Sequence, residues 1–127
     1  GETEEALRIW TDECLPLAVR AQDLDGIAHV RFVCARARLT RGDLEKGEAQ
    51  LIYDELAESF RLNKKLQRVD GIAFSGSFLG QVLARAGHRE EALSVLADSA
   101  SAFEKMGREE EATQVRALRE EIGKADQ

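Results

Sequence analysis

The chain has 127 residues, 43% of them hydrophobic and 33% charged, with Lys+Arg 18 against Asp+Glu 24 for a net charge of −6. That length fits one domain, the apolar content is too high for a disordered chain, and the acidic balance speaks against generic nucleic-acid binding, which needs clustered basic residues to neutralise phosphates. With one proline, few aromatics and much Ala, Leu, Glu and Arg, the expected class is all-α. No basic stretch leads into an apolar signal segment, and no uncharged apolar run approaches the roughly 18 residues that cross a bilayer, so no membrane partner is expected. Cys14 and Cys34 are too few for a disulfide framework and lie in no metal-spaced CxxC pair. A cytoplasmic, soluble chain is expected.

Six helices are predicted, at about 2 to 21, 26 to 41, 43 to 61, 70 to 86, 88 to 105 and 108 to 122. The first opens on Glu4 and Glu5, which suit the positive end of a helix dipole, and contains Pro16. Because Leu15, Leu17 and Val19 continue an apolar pattern around the proline, a kink is expected there and not a break. In the second, Asp25 is the expected N-cap, Ile27, Val30, Cys34 and Ala37 fall at helical spacing, and Gly42 is the expected left-handed stop. The third is expected to end near Arg61, since Asn63, Lys64, Lys65 and Gln67 interrupt its apolar pattern and read as a loop or a frayed end. The fourth repeats the second, with Asp70 as cap, Ile72, Leu79, Val82, Leu83 and Ala86 as apolar positions and Gly87 as stop. Gly76 and Gly80, one turn apart, are expected to admit a neighbouring helix closely. Glu90 and Glu91, then Glu109 to Glu111, mark the last two helix starts.

The chain also repeats itself. Asp25-Gly26-Ile27-Ala28 recurs as Asp70-Gly71-Ile72-Ala73, 45 residues later, and the segments opening at Gly1, Gly42 and Gly87 recur at steps of 41 and 45. Periods of this size belong to stacked helical hairpins. With Leu79-Gly80, the stop at Gly87, the small Ala92, Leu96 and the small Ser99, one stretch resembles a complete tetratricopeptide repeat. The wide period and the phrases Glu13-Cys14-Leu15-Pro16-Leu17 and Asp25 to Ala28 are most similar to the broad repeats in bacterial signalling ATPases and transcription regulators. Arg31 and Gly76 stand where that family prefers an aromatic, Arg38 replaces a bulky apolar residue, and Glu104 replaces the closing proline.

The resemblance covers nearly the whole chain and implies a single domain over residues 1–127, a right-handed αα superhelix of about three hairpins, cut from a longer array. The polar last helix would cap it, whereas Ile9, Trp10 and Leu15 near the start are expected to be exposed and to support self-association through the first hairpin. In such repeats the first helix of each hairpin lines the concave surface. Carried over residue by residue, the partner-binding positions become His29, Phe32 and Arg36 on one helix and Phe74, Ser77, Gln81 and Arg85 on the next, with Phe78 as their neighbour.

Residues 27 to 42 hold Arg31, Arg36, Arg38 and Arg41 with no acid, and residues 71 to 89 hold Arg85 and Arg89 with none. The inner helices are thus expected to form a cationic wall that favours an acidic or carboxylate-bearing protein or peptide. The chemistry of an enzyme is missing: His29 and His88 stand apart from any nucleophile or metal spacing, and Gly71 to Gly80 lacks the GK[ST] ending of a phosphate loop. No cofactor, no metal and no catalytic residue is therefore expected. Cys14 and Cys34 are expected to face each other as small buried hydrophobes. Two functions remain: a non-catalytic interaction or scaffold module that binds a partner segment in its groove, or an effector-sensing arm of a larger signalling ATPase or transcription regulator.

Overall fold

A computed structural model describes residues 1–124, which are all-helical with no strand among them. The elements are α1 (Glu2–Ile9), a π-turn (Trp10–Cys14), α2 (Leu15–Arg20), α3 (Leu24–Arg41), a 3-10 turn (Asp43–Lys46), α4 (Ala49–Leu66), α5 (Val69–Arg85), α6 (Arg89–Lys105) and α7 (Glu109–Lys124). Among the described residues no helix is long and apolar enough to cross a membrane.

The disturbance expected at Pro16 takes the form of the π-turn, in which the Leu15 N–H donates to the Trp10 carbonyl five residues back. A proline ring collides with the carbonyl four residues before it, and widening the preceding turn relieves that collision without ending the helix. The caps lie two residues ahead of their expected places. For α3 the cap is Asp23, whose Oδ1 accepts from the Gly26 N–H at 2.9 Å, and for α5 it is Arg68, with no side-chain cap bond. Left-handed Gln22 (φ 54) and Gln67 (φ 56) reverse the chain just before these caps, so the helices begin early and Asp25 and Asp70 fall in their first turns.

Gly42 and Gly87 are left-handed, at φ 87 and φ 85, as their role as helix stops requires. After Gly42, however, the chain makes the 3-10 turn and passes a second left-handed glycine, Gly47 (φ 92), before α4 starts. The third helix therefore begins at Ala49 and runs past Arg61 to Leu66. Leu62 and Asn63 are buried, and the Asn63 amide donates to the Ser59 carbonyl at 2.9 Å. Lys64 and Lys65, which looked like a loop, are the last turn of a helix, where cations oppose the dipole.

Packing falls into two compact units, residues 1–66 and the chain from Gln67 onward. In the first, α3 pairs with α4, and α1–α2 lies against α3; in the second, α6 packs on both α5 and α7. The hairpins α3–α4 and α5–α6 share one tie. Ser59 donates to the Ala28 carbonyl at 2.8 Å and Ser99 to the Ala73 carbonyl at 2.6 Å, so each repeated alanine is held by a buried serine of the facing helix. These ties span 31 and 26 residues. The difference equals the Asp43–Gly47 excursion, which the first hairpin absorbs in its elbow.

The first unit buries Ile52 and Leu56 completely, and Leu7, Val30 and Cys34 form a second cluster against which Trp10, Cys14 and Leu15 pack. Both thiols are free and share that cluster; burial pushes the Cys34 thiol above its ordinary pKa. Trp10 and Leu15 are thus half-buried, and the exposed apolar residues of this run are Ile9, Leu17 and Val19. The second unit centres on Ala73, Leu96, Ala100, Phe103, Ala112 and Val115. Its helices meet closely at Gly80, where an added Cβ would lie 2.4 Å from Leu96.

Candidate functional site

The α5 and α7 helices flank α6, and between them opens a cleft of about 350 Å³ over Phe103. Helical spacing builds it: Phe74, Ser77, Phe78 and Gln81 recur on one face of α5, and Glu111, Gln114, Val115 and Leu118 on one face of α7. The floor is aromatic. Phe74 and Phe103 meet edge to face with centroids 5.1 Å apart and planes at 85°, a favourable arrangement of ring quadrupoles. The Arg108 guanidinium lies 5.0 Å from the Phe74 ring centre and donates through Nε to Glu111 Oε2 at 2.8 Å. That guanidinium holds the Glu111 carboxyl below the usual carboxylate range.

On the rim, the Gln81 Nε2 donates back to the Ser77 carbonyl at 3.1 Å. The amide's carbonyl oxygen is left to accept from elsewhere. Gln114 makes no side-chain hydrogen bond among the described residues. Four of the five positions proposed on α5 thus come together in one cleft; Arg85 is exposed in the last turn and does not line it.

His29, Phe32 and Arg36 lie in the other unit, on α3. His29 and Arg36 are exposed, Phe32 is half-buried, and the Arg36 guanidinium stacks 5.4 Å from the Phe32 ring centre. The cationic wall expected from counting charges along this helix does not form as read. Arg31 pairs with Glu58 at 3.3 Å, Arg38 with Glu55 at 3.0 Å and Arg41 with Asp43 at 2.6 Å. Acids on the facing helix and in the elbow take up three of the four arginines.

Glu55 is 3% exposed, and burial pushes its carboxyl above the usual range even though Arg38 pulls it down. At Asp43 the balance goes the other way: the Arg41 hydrogen bond outweighs burial and holds that carboxyl below its ordinary value. A second cleft, of about 490 Å³, lies where these pairs meet Glu4, Lys46 and Glu48. Its lining carries both signs equally. Among the described residues, no three His, Cys, Asp or Glu side chains are grouped to hold a metal ion.

The residues that sequence reasoning missed are Phe103 and the α7 stripe. Glu111, Gln114, Val115 and Leu118 follow helical spacing and were legible as a face, but the density of charge on α7 made the whole helix read as a polar cap. Against known families, characterised proteins and solved structures, the chain gives no match.

Proposed function

We propose that the chain is a non-catalytic interaction module of the tetratricopeptide kind, its hairpins winding into a right-handed superhelix, and that it holds a segment of a partner protein in the α5–α7 cleft. One observation carries this reading: the side chains of Phe74, Ser77, Phe78 and Gln81 join the α7 stripe around an aromatic floor with a hydroxyl and amide rim. Aromatics provide contact area at little entropy cost, and side-chain amides match the donor and acceptor of a peptide bond. At about 350 Å³ the cleft is near the lower end of small-molecule sites. It suits one or two side chains of a longer segment better than an enclosed metabolite, which supports the binding module over the effector-sensing arm.

Panning a displayed random-peptide library against the chain tests the proposal, with enriched clones re-measured on Phe78→Ser after circular dichroism has shown that the variant is folded. Enriched peptides should lose affinity on the variant by about tenfold or more, as expected for an aromatic contact at the centre of an interface. No enrichment, or clones that bind the variant as well as the parent, would overturn it.

A further inference from the structure

The cleft's rim amides recognise donors and acceptors alike, since Gln81 Oε1 and the whole Gln114 amide stay open, but its charge has one sign. Among the described residues Glu111 is the one ionisable side chain lining the cleft, and it belongs to a chain of net charge −6. The Arg108 Nε and Nη2 both go to Glu111 Oε2 and not to Oε1. The site displays its own preference, because it already seats one cation: the Arg108 guanidinium lies on the Phe74 ring and against the Glu111 carboxylate at the same time.

We infer that the cleft takes a basic segment, in which an apolar side chain rests on Phe103 and Leu118 while an adjoining Lys or Arg reaches the Glu111 Oε1. This rests on the peptide-binding reading above and reverses the sign of partner expected from counting arginines along α3. The alkyl stem of a Lys or Arg can lie along the apolar floor while its head group stays at the hydrated rim. Aromatic faces attract the cation, and a negative chain draws basic partners from a distance.

Three fluorescein-labelled peptide pools of equal length test the assignment by anisotropy. Each is built on Leu and Phe, with Lys/Arg, Ser/Gln or Asp/Glu at the remaining positions, and each is measured on the parent chain and on Glu111→Gln, Arg108→Gln and Phe78→Ser. The basic pool should bind tightest, weaken as salt rises, and lose about tenfold on Glu111→Gln through its missing charge-assisted hydrogen bond. Arg108→Gln should tighten the same pool, because it frees Oε2 and uncovers the Phe74 ring. Equal weakening by the Glu111 and Arg108 variants would mean that the pair only props up the local structure, and would overturn the inference. Tightest binding by the neutral or acidic pool would also overturn it, and if Phe78→Ser still abolished that binding the interaction-module reading would stand. Absence of binding by every pool would remove both.

Discussion

At the position where α3–α4 sets Arg38 against a buried Glu55, the hairpin α5–α6 has Leu83 and Val95. Two turns earlier on α3 and one turn later on α4, Arg31 and Glu58 stand where the second hairpin has Gly76 and Asp98. Both hairpins keep the serine-to-alanine tie, so at the first of these positions the same frame is filled by an ion pair in one and by apolar residues in the other. The exchange is physically uneven. Burying apolar atoms is favourable outright, whereas a buried pair must recover the desolvation of both charges before it contributes anything. The first hairpin is therefore the one whose stability depends on charge state and on keeping both partners.

The largest test of this contrast removes one partner. Arg38→Leu leaves Glu55 buried without its cation and should cost about 3–5 kcal/mol in denaturant unfolding. Adding Glu55→Val, which copies the second hairpin, should restore the loss and leave the chain between neutral and about 1–4 kcal/mol more stable than the parent.

The same pair of proteins gives a pH test. The folded-state pKa of Glu55 is raised, so between its ordinary value and that raised value the folded chain binds a proton that the unfolded chain has released. Over that window the stability contributed by Glu55 falls as pH increases. The advantage of the double variant over the parent should consequently widen from acid towards neutral pH, and a gap that narrowed would contradict the burial of Glu55.

The shared tie predicts smaller, nearly matched losses. Ser99→Ala should cost about 1 kcal/mol for its buried hydrogen bond, and Ser59→Ala about 1.5 kcal/mol, because Ser59 Oγ also accepts from the Asn63 amide at 3.3 Å. Thermal unfolding of the two variants side by side would show whether the hairpins rely equally on this contact. The smallest effect belongs to the turns that follow the second helix of each hairpin. Gln67 holds a left-handed φ of 56 where Gly107 holds 75, so Gln67→Gly should stabilise by roughly 0.5–1 kcal/mol, measured as a raised denaturation midpoint.

Helix content and the stops at Gly42 and Gly87 were legible in the sequence because both follow from local physics: apolar spacing, and the freedom of glycine at positive φ. The cap at Asp23 was not, since Asp23 and Asp25 offer the same side chain. The choice between them depends on which residue leaves helical φ/ψ, and here that is Asp23, at φ −88 and ψ 89. The end of α4 was missed because polarity marks either a loop or the wet face of a helix, and only the burial of Leu62 and Asn63 separates the two. Half of the candidate cleft was readable as a face of α5. The other half needed the position of α7, which no count of charges on one helix conveys, just as no such count revealed that Glu55, Glu58 and Asp43 would absorb three arginines.

The elbow between α3 and α4 has a practical use. Five additional residues are accommodated there while the hydroxyl-to-carbonyl bridge beside them keeps its place, and Arg41, clasping Asp43, anchors the detour at its root. Foreign sequence spliced in just beyond, at exposed Glu45 to Gly47, enters a stretch of backbone already uncoupled from the register of both flanking helices. An affinity tag or a fluorophore-bearing peptide grafted at that point would report on the chain without shifting the α3–α4 pairing on either side of it.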